Sequence, residues 1–206
     1  MPTITRLVQG KKNPNRVNLY LDDQFAFALS IDEVGKHGLK KGLELSDAQI
    51  ESLKDNDETE YVFGLILNFL SYRPRTVKEV RDRLYKYEVR DKAKQDGLIA
   101  KLQGKGYLDD SAFATWFIES RNTHRPRSSR MLKQELMAKG VPSDIITTAM
   151  AGSVDESDTI ARILDKKLGT RRTLERDEEQ KIYIYLSRQG YAWDKIKEVV
   201  KTWQSE

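Results

Sequence analysis

The chain has 206 residues, 38% hydrophobic and 33% charged, a polar balance still compatible with a packed core. It has no cysteine and only two histidines, His37 and His124, which excludes disulfides, thiolate chemistry and a zinc site built on His and Cys. The most apolar stretch, Tyr61 to Leu70, is too short to span a bilayer, and the opening MPTITRLVQG has no apolar run of signal-peptide length, so a soluble cytoplasmic protein without membrane contact is expected.

Charge is distributed unevenly. Thirty-six Lys and Arg against thirty-two Asp and Glu give a net +4, yet residues 1–59 carry a net −2 and residues 60–206 a net +6. Arg121 to Lys139 alone holds six basic side chains against one acid, Glu135. A local stripe of this kind suits an anionic partner, nucleic acid or an acidic protein face, and suits a solvated surface equally well.

In chain order, Thr3 to Gln9 is a β-leaning run, and Val17 to Leu21 and Phe25 to Leu29 flank Asp22-Asp23, the pattern of a hairpin. Two or three such strands need something to pack on. Ser30 or Asp32 opens a short helix ending near Gly38, and Ser46 caps a second helix carrying Ile50 and Leu53. The acidic Lys54 to Glu60 (KDNDETE) reads as a linker. Tyr61 to Leu70 reads as a buried helix stopped by Arg73-Pro74. Thr76 with Glu79 forms a capping box for a helix whose apolar face is Val77, Val80, Leu84 and Tyr87. A third helix carries Leu98, Ile99 and Leu102 and ends at Gly104 and Gly106.

The cadence then repeats. Arg125-Pro126-Arg127-Ser128 follows Arg73-Pro74-Arg75-Thr76 by 52 positions, and Leu132, Leu136 and Val141 follow Val80, Leu84 and Val89 by the same step. Leu136 to Val141 recurs as Leu186 to Tyr191, displaced by 50, with Ile146 and Met150 matching Ile196 and Val200. The helices before the later repeats start from Phe113, Trp116 and Phe117, and from Ile160, Ile163 and Leu164. The expected architecture is mainly α: three tandem three-helix, helix-turn-helix-like repeats in an elongated curved array, with a small N-terminal extension containing a β-hairpin. The domains so delimited are 1–55 for the extension, then 60–109, 110–154 and 155–206 for the repeats. Such an array binds along a face, not in a pocket.

No nucleotide-cradling or nucleophile-elbow motif occurs, so no catalytic residue, metal or cofactor is assigned and an enzyme is not expected. The carboxylate pair Asp109-Asp110 precedes an amphipathic helix and reads as an N-cap. His124 stands alone in an Arg-rich connection and reads as a surface residue.

The Arg-Pro-Arg connections are the candidate binding site. Pro74 and Pro126 stop helices, while Arg73, Arg75, Arg81 and Arg83 in the first repeat, and Arg121, Arg125, Arg127, Arg130 and Lys133 in the second, could hold carboxylates or phosphates bidentately or as point charges. Intervening acids dilute the first patch, and the second is cleaner. Sequence-specific DNA readers carry Asn, Gln or Arg at the start of the recognition helix. The candidate third helices open with Lys92 to Gln95 and with Ser143 to Ile145, the second acidic and apolar and a poor base reader. Tandem units without base-reading ends favour recognition of shape, backbone or protein. Trp116, Trp193, Trp203, Tyr183, Tyr185 and Tyr191 could stack bases, but their helical spacing beside aliphatics reads as core.

Tyr72-Arg73-Pro74-Arg75-Thr76 with Glu79, Val80 and Leu84, then Leu102 and Gly106 to Asp110 with Phe113-Ala114, resembles the RecX regulatory proteins. Arg121, Leu132 to Gly140 and Ile145-Ile146 continue the likeness, which covers about 60 to 200; residues 1–55 lie outside the compact core of the family, though longer members carry a comparable N-terminal extension. The resemblance implies a non-enzymatic, monomeric modulator of the RecA recombinase, lodged in the groove of the RecA–single-stranded-DNA filament. It would restrain, mostly inhibit, ATP hydrolysis, filament growth and strand exchange in recombinational repair and the SOS response. The third repeat departs from the pattern, with Arg171-Arg172-Thr173 and Arg176 in place of Arg-Pro-Arg. A direct DNA-binding protein and a general protein scaffold are the alternatives.

Overall fold

The structure is a computed structural model, and it describes every residue except Ser153, Val154, Thr170 and Glu206. The repeat boundary expected at 154 lies outside the described residues. The chain divides into two compact units, Met1–Phe69 and Leu70–Glu206.

The first unit is built on a three-stranded antiparallel sheet, β1 (Ile4–Gln9), β2 (Arg16–Leu21) and β3 (Gln24–Ser30), in that spatial order. The turn between β2 and β3 is the expected Asp22-Asp23 pair, with φ of +47° and +64°. Two successive left-handed residues match the twist of a two-residue hairpin, and Asp tolerates that conformation better than most side chains. Ser30 ends the sheet and begins α1 (Ile31–Lys36), its hydroxyl accepting the Glu33 amide at 3.2 Å. The segment after α1 returns to β1, with the Ile4 amide donating to the Leu43 carbonyl and the Gly42 amide to that of Ile4. Ile4, Leu19, Leu29, Leu39, Leu45 and Leu53 then form one buried core.

Helix α2 (Asp47–Ser71) corrects the linker reading. Ser46 caps it reciprocally with Gln49, and the helix runs unbroken through Lys54 to Glu60. That stretch is polar but contains no Gly or Pro, so nothing in it breaks the backbone ladder. Its polarity has a structural use, because Asp57 is buried. One carboxylate receives Arg16 Nη1 at 2.9 and 2.7 Å and the Ser30 amide at 2.8 Å, tying helix to sheet. Farther along α2, Val62, Phe63 and Ile66 are buried, whereas Tyr61 is exposed: the apolar run has one solvent-facing side.

The second unit contains α3 (Val77–Lys86), α4 (Lys92–Gly104), α5 (Asp110–His124), α6 (Ser129–Ala138), α7 (Ser143–Ala151), α8 (Glu156–Leu168), α9 (Arg176–Arg188) and α10 (Trp193–Ser205). The expected periodicity is physical. Val80, Leu84, Leu132, Leu136 and Leu186 are all buried. The turns after α3, α6 and α9 share one hydrogen-bond pattern, in which Val89, Val141 and Tyr191 donate back to Leu84, Leu136 and Leu186. Such a reversal directs α4, α7 and α10 back across their repeats. α5, α6 and α7 share one core, and α8, α9 and α10 another. Trp203 and Tyr191 are core, as expected, but Trp193 is not: it is 57% exposed at the start of α10, with its ring 4.6 Å from that of Tyr183. Among the described residues, no helix is long and apolar enough to cross a membrane.

Asp57→Ala should destabilise the first unit by about 2–4 kcal/mol in urea unfolding, because it strands a guanidinium and a backbone amide in a largely buried place. Asp57→Asn, which keeps an acceptor, should cost less. Equal losses would show that the charge contributes everything.

Candidate partner-binding surface

The N-terminus of a helix leaves amide donors without partners, and its C-terminal turn leaves carbonyls without partners. In the second unit these two deficits meet. The carbonyls of Ala138 and Lys139, at the end of α6, accept Lys78 Nζ at 3.0 Å and Thr76 Oγ1 at 2.8 Å, at the start of α3. One period on, the Gln189 carbonyl, at the end of α9, accepts the Ser128 amide at 3.0 Å, at the start of α6. The second helix of the second and of the third repeat thus docks its C-terminal turn on the N-terminus of the corresponding helix one repeat earlier, negative dipole end to positive end.

Each junction also receives a carboxylate from the repeat that follows. Asp110 Oδ1 accepts the Val77 amide at 2.9 Å, and Glu156 Oε1 accepts the Ser129 amide at 2.6 Å. Asp109 is the expected cap of α5, accepting from Ser111 and Ala112, so its neighbour is free to reach the preceding repeat. Burial raises the pKa of Asp110 against the opposing Val77 hydrogen bond, and the charges of Asp109 and Glu79 add to the rise.

Close approach explains two glycines. A Cβ on Gly140 would lie 2.6 Å from Lys78 Cβ, and one on Gly190 would lie 2.5–2.7 Å from Met131 and the Ser128 hydroxyl, with φ of +81° and +91°. The corresponding residue of the first repeat is Glu88. It has the same left-handed backbone, φ +63°, but its side chain is exposed and pairs with Arg90 at 2.6 Å.

The arginines read from the sequence divide into two groups around these junctions. Arg73 holds Glu79 with two hydrogen bonds of 3.1 and 2.8 Å, and Lys139 reaches the same carboxylate at 3.2 Å. Burial opposes ionisation of Glu79, yet Arg73 and Lys139 hold its pKa down to about 2. Arg75 is half-buried, and its guanidinium pKa is lowered by burial and by Arg73. Arg81 binds Gln95 at 3.2 Å and Asp96 at 2.8 Å, and Arg83 bonds to and stacks on Tyr87. Arg121 pairs with Glu135 at 2.7 Å over the Phe117 ring, and Arg127 spans from Gln189 Oε1 at 2.6 Å towards Glu135. The remaining three, Arg125, Arg130 and Lys133, are exposed.

The outward face of α6 therefore presents Arg130 and Lys133, with Met137, 63% exposed, one helical turn beyond. Gln95, a candidate base reader by position, is buried and donates to the Val89 carbonyl at 2.7 Å. In the third repeat, Arg171 pairs with Glu178 at 2.6 Å, and Arg172 joins Asp165, which also accepts the Trp203 indole N–H at 2.8 Å. Asp110, Glu135, Glu156 and Gln189 were not singled out by sequence as junction residues. Among the described residues, no group of three or more His, Cys, Asp or Glu is placed to hold a metal.

Four family models match the chain in order. They are the regulatory protein RecX N-terminal domain over 2–46, the first RecX three-helix domain over 64–93, the second over 109–150 and the third over 155–200. The N-terminal sheet is thus a family domain of its own, the extension that longer members were expected to carry ahead of the three-helix repeats. The chain is similar to the regulatory protein RecX of Bacillus subtilis (strain 168), 35% identical over 204 residues, covering 95% of this chain and 75% of the relative. It is similar to that of Leuconostoc mesenteroides, 34% identical over 203 residues, covering 97% and 75%. Among solved structures, a crystal structure of regulatory protein RecX superposes with a TM-score of 0.73 at 25% identity, covering 98% of this chain and 100% of the other. RecX from Lactobacillus salivarius superposes at 0.61 with 22% identity over 73% of this chain and 99% of that one, a likeness of fold alone.

Gly190→Ala should destabilise the protein by about 1–3 kcal/mol, since it combines a left-handed backbone with a steric collision. Glu88→Gly should be neutral or stabilising by about 1 kcal/mol, because nothing packs there that a side chain would meet. Thermal unfolding of both variants checks the pair, and a costly Glu88→Gly would refute the junction account. Glu79 is held below its unfolded pKa, so its contribution is complete above about pH 4.5 and is lost as pH falls towards 2. The wild-type melting temperature should accordingly drop more steeply across that window than that of Glu79→Gln, which at neutral pH should be less stable by about 1–3 kcal/mol.

Proposed function

This chain belongs to the RecX regulatory protein family, and from that membership we propose that it is a non-enzymatic modulator of the RecA–single-stranded-DNA filament. The carrying observation is that all four family domains match in sequence order, with relatives aligned over nearly the whole chain. On this reading the protein lies in the filament groove and acts on ATP hydrolysis, filament growth and strand exchange, mostly as an inhibitor, in recombinational repair and the SOS response. Three repeats that each make modest contacts with successive protomers gain affinity through repetition, because the second and third contacts are intramolecular. Regulation follows from differential affinity: a ligand that prefers filament or free subunit shifts the polymerisation equilibrium accordingly.

Support for where that partner is met comes from the bonding of the candidate cations inside the fold. Arg73, Arg81, Arg83, Arg121 and Arg127 already have partners inside the fold, whereas Arg125, Arg130 and Lys133 face solvent. These three are assigned to the partner interface, with Met137 as an adjoining apolar contact.

Sedimentation with RecA, single-stranded DNA and an ATP analogue, each omitted in turn, tests the reading. Co-pelleting with the filament well above that with DNA alone is expected, and equal binding to DNA without RecA would replace the filament by DNA as partner. Reversal of Arg125, Arg130 and Lys133 to Glu should weaken filament binding about tenfold or more while leaving helicity and melting temperature unchanged. Unaltered binding would remove these residues from the interface. Arg73→Ala should instead lower the melting temperature, because it acts through Glu79.

A further inference from the structure

Away from α6, a cleft of about 490 Å³ opens between the end of α5, the connection through Pro126, and helices α8 and α9. α8 turns Thr159, Arg162 and Lys166 into it at helical spacing, with Lys167 beside them, and α9 contributes Tyr185. Arg162, Lys166 and Lys167 are exposed, and among the described residues no acid lines the cleft. The acids of α8 point to other duties: Glu156 is committed to the Ser129 amide, and Asp165 to Arg172 and Trp203. Asp158 is exposed on α8 but does not line the cleft. The C-terminal ends of α5 and α8 each bring a partial charge of about −0.5, which three full cations outweigh.

The apolar part of the lining is made of flat or broad surfaces: Pro126, Ile163 and the Tyr185 ring, over which Lys167 Nζ sits at 4.1 Å, with the imidazole of His124 at the edge. Cations alone would suit an acidic peptide. Cations interleaved with an aromatic face suit a strand whose phosphates and unstacked bases alternate. A duplex, with its bases stacked inside, could reach the cations with its phosphates but could not use the ring.

We propose that this cleft between the second and third repeats binds a single-stranded nucleic acid segment, with Arg162, Lys166 and Lys167 on consecutive phosphates and a base against Tyr185. The site is separate from the α6 face and works without RecA, so it adds a direct strand contact to the proposed filament regulator.

The test is fluorescence anisotropy of the full chain with a labelled oligothymidylate over a salt series, without RecA. Binding should weaken with salt, and Arg162→Ala/Lys166→Ala/Lys167→Ala should cost about tenfold or more at low salt and flatten the log–log salt slope by about 2, near 0.7 for each phosphate no longer neutralised. Tyr185→Phe should bind as wild type, and Tyr185→Ala about tenfold more weakly with the slope unchanged. Lys197→Ala/Lys201→Ala, exposed on α10 and outside the cleft lining, should leave affinity within about twofold. The proposal fails if the wild type does not bind the strand, if the triple variant binds unchanged, or if the α10 variant loses as much. Stronger binding to polyglutamate or to duplex than to the strand would overturn it in favour of an acidic protein or double-stranded DNA. Because RecA is absent, failure here leaves the filament reading standing, and failure of filament binding leaves the cleft testable.

Discussion

The docking of a helix C-terminal turn on the N-terminus of the helix one repeat earlier is the interaction on which the second unit depends. A three-helix repeat of about fifty residues is marginal by itself. Its neighbour supplies satisfied backbone ends as well as buried area, since the carbonyls after α6 and α9 meet donors at the starts of α3 and α6. Lys78 shows how strongly this geometry governs sequence. In the first turn of α3 a cation opposes its own helix dipole, yet its ammonium reaches the Ala138 carbonyl, where a positive charge is favourable. The borrowed carboxylates, Asp110 and Glu156, complete the arrangement by taking the first amide of α3 and of α6.

A repeating junction raises the question of what ends the series. Gly140 and Gly190 are the close-approach residues, and at the equivalent place in the first repeat stands Glu88 with an exposed side chain. A further N-terminus packed there would meet that side chain where glycine is otherwise required. At the opposite end α9 begins with Glu175, Asp177, Glu178 and Glu179, which supply at its own N-terminus the negative charge that α3 and α6 take from a following repeat. Arg171 and the Glu175 amide both engage Glu178. Both ends of the series therefore differ chemically from its inner junctions.

The parts of the fold legible in sequence were those set by local rules. The Asp22-Asp23 turn, the Ser30 and Thr76 caps, the Pro74 stop and the 52- and 50-residue recurrences each follow from the chain within a few residues or from its own repetition. Lys54 to Glu60 was misread because polarity is a signal of exposure only where no distant partner exists. Arg16, 41 positions before Asp57, is such a partner and lies outside any local window. Trp193 fits a helical apolar period beside Ile196 and Val200 but sits at the margin of that face, so spacing alone placed it in the core. The junction roles of Asp110 and Glu156 were not legible because they lie 33 and 27 positions from the amides they accept, and the unequal loops hide their equivalence.

The candidate site illustrates a more general conflict between charge density and charge availability. Arg-Pro-Arg places guanidiniums beside a helix start, which is also where a repeat junction must neutralise and orient carboxylates such as Glu79 and Glu135. A guanidinium with a fixed carboxylate at 2.7–2.8 Å presents little net field to a partner and would forfeit an internal bond to make an external one. Arg125, exposed just after α5, is free of that duty, and the other free cations stand a turn farther along a helix. Arg130 and Lys133 on α6, and Arg162, Lys166 and Lys167 at the α8 cleft, meet that condition. The cations left available to a partner in this architecture are those that the stacking of repeats leaves unused, and much of the run of arginines in the sequence serves the joints.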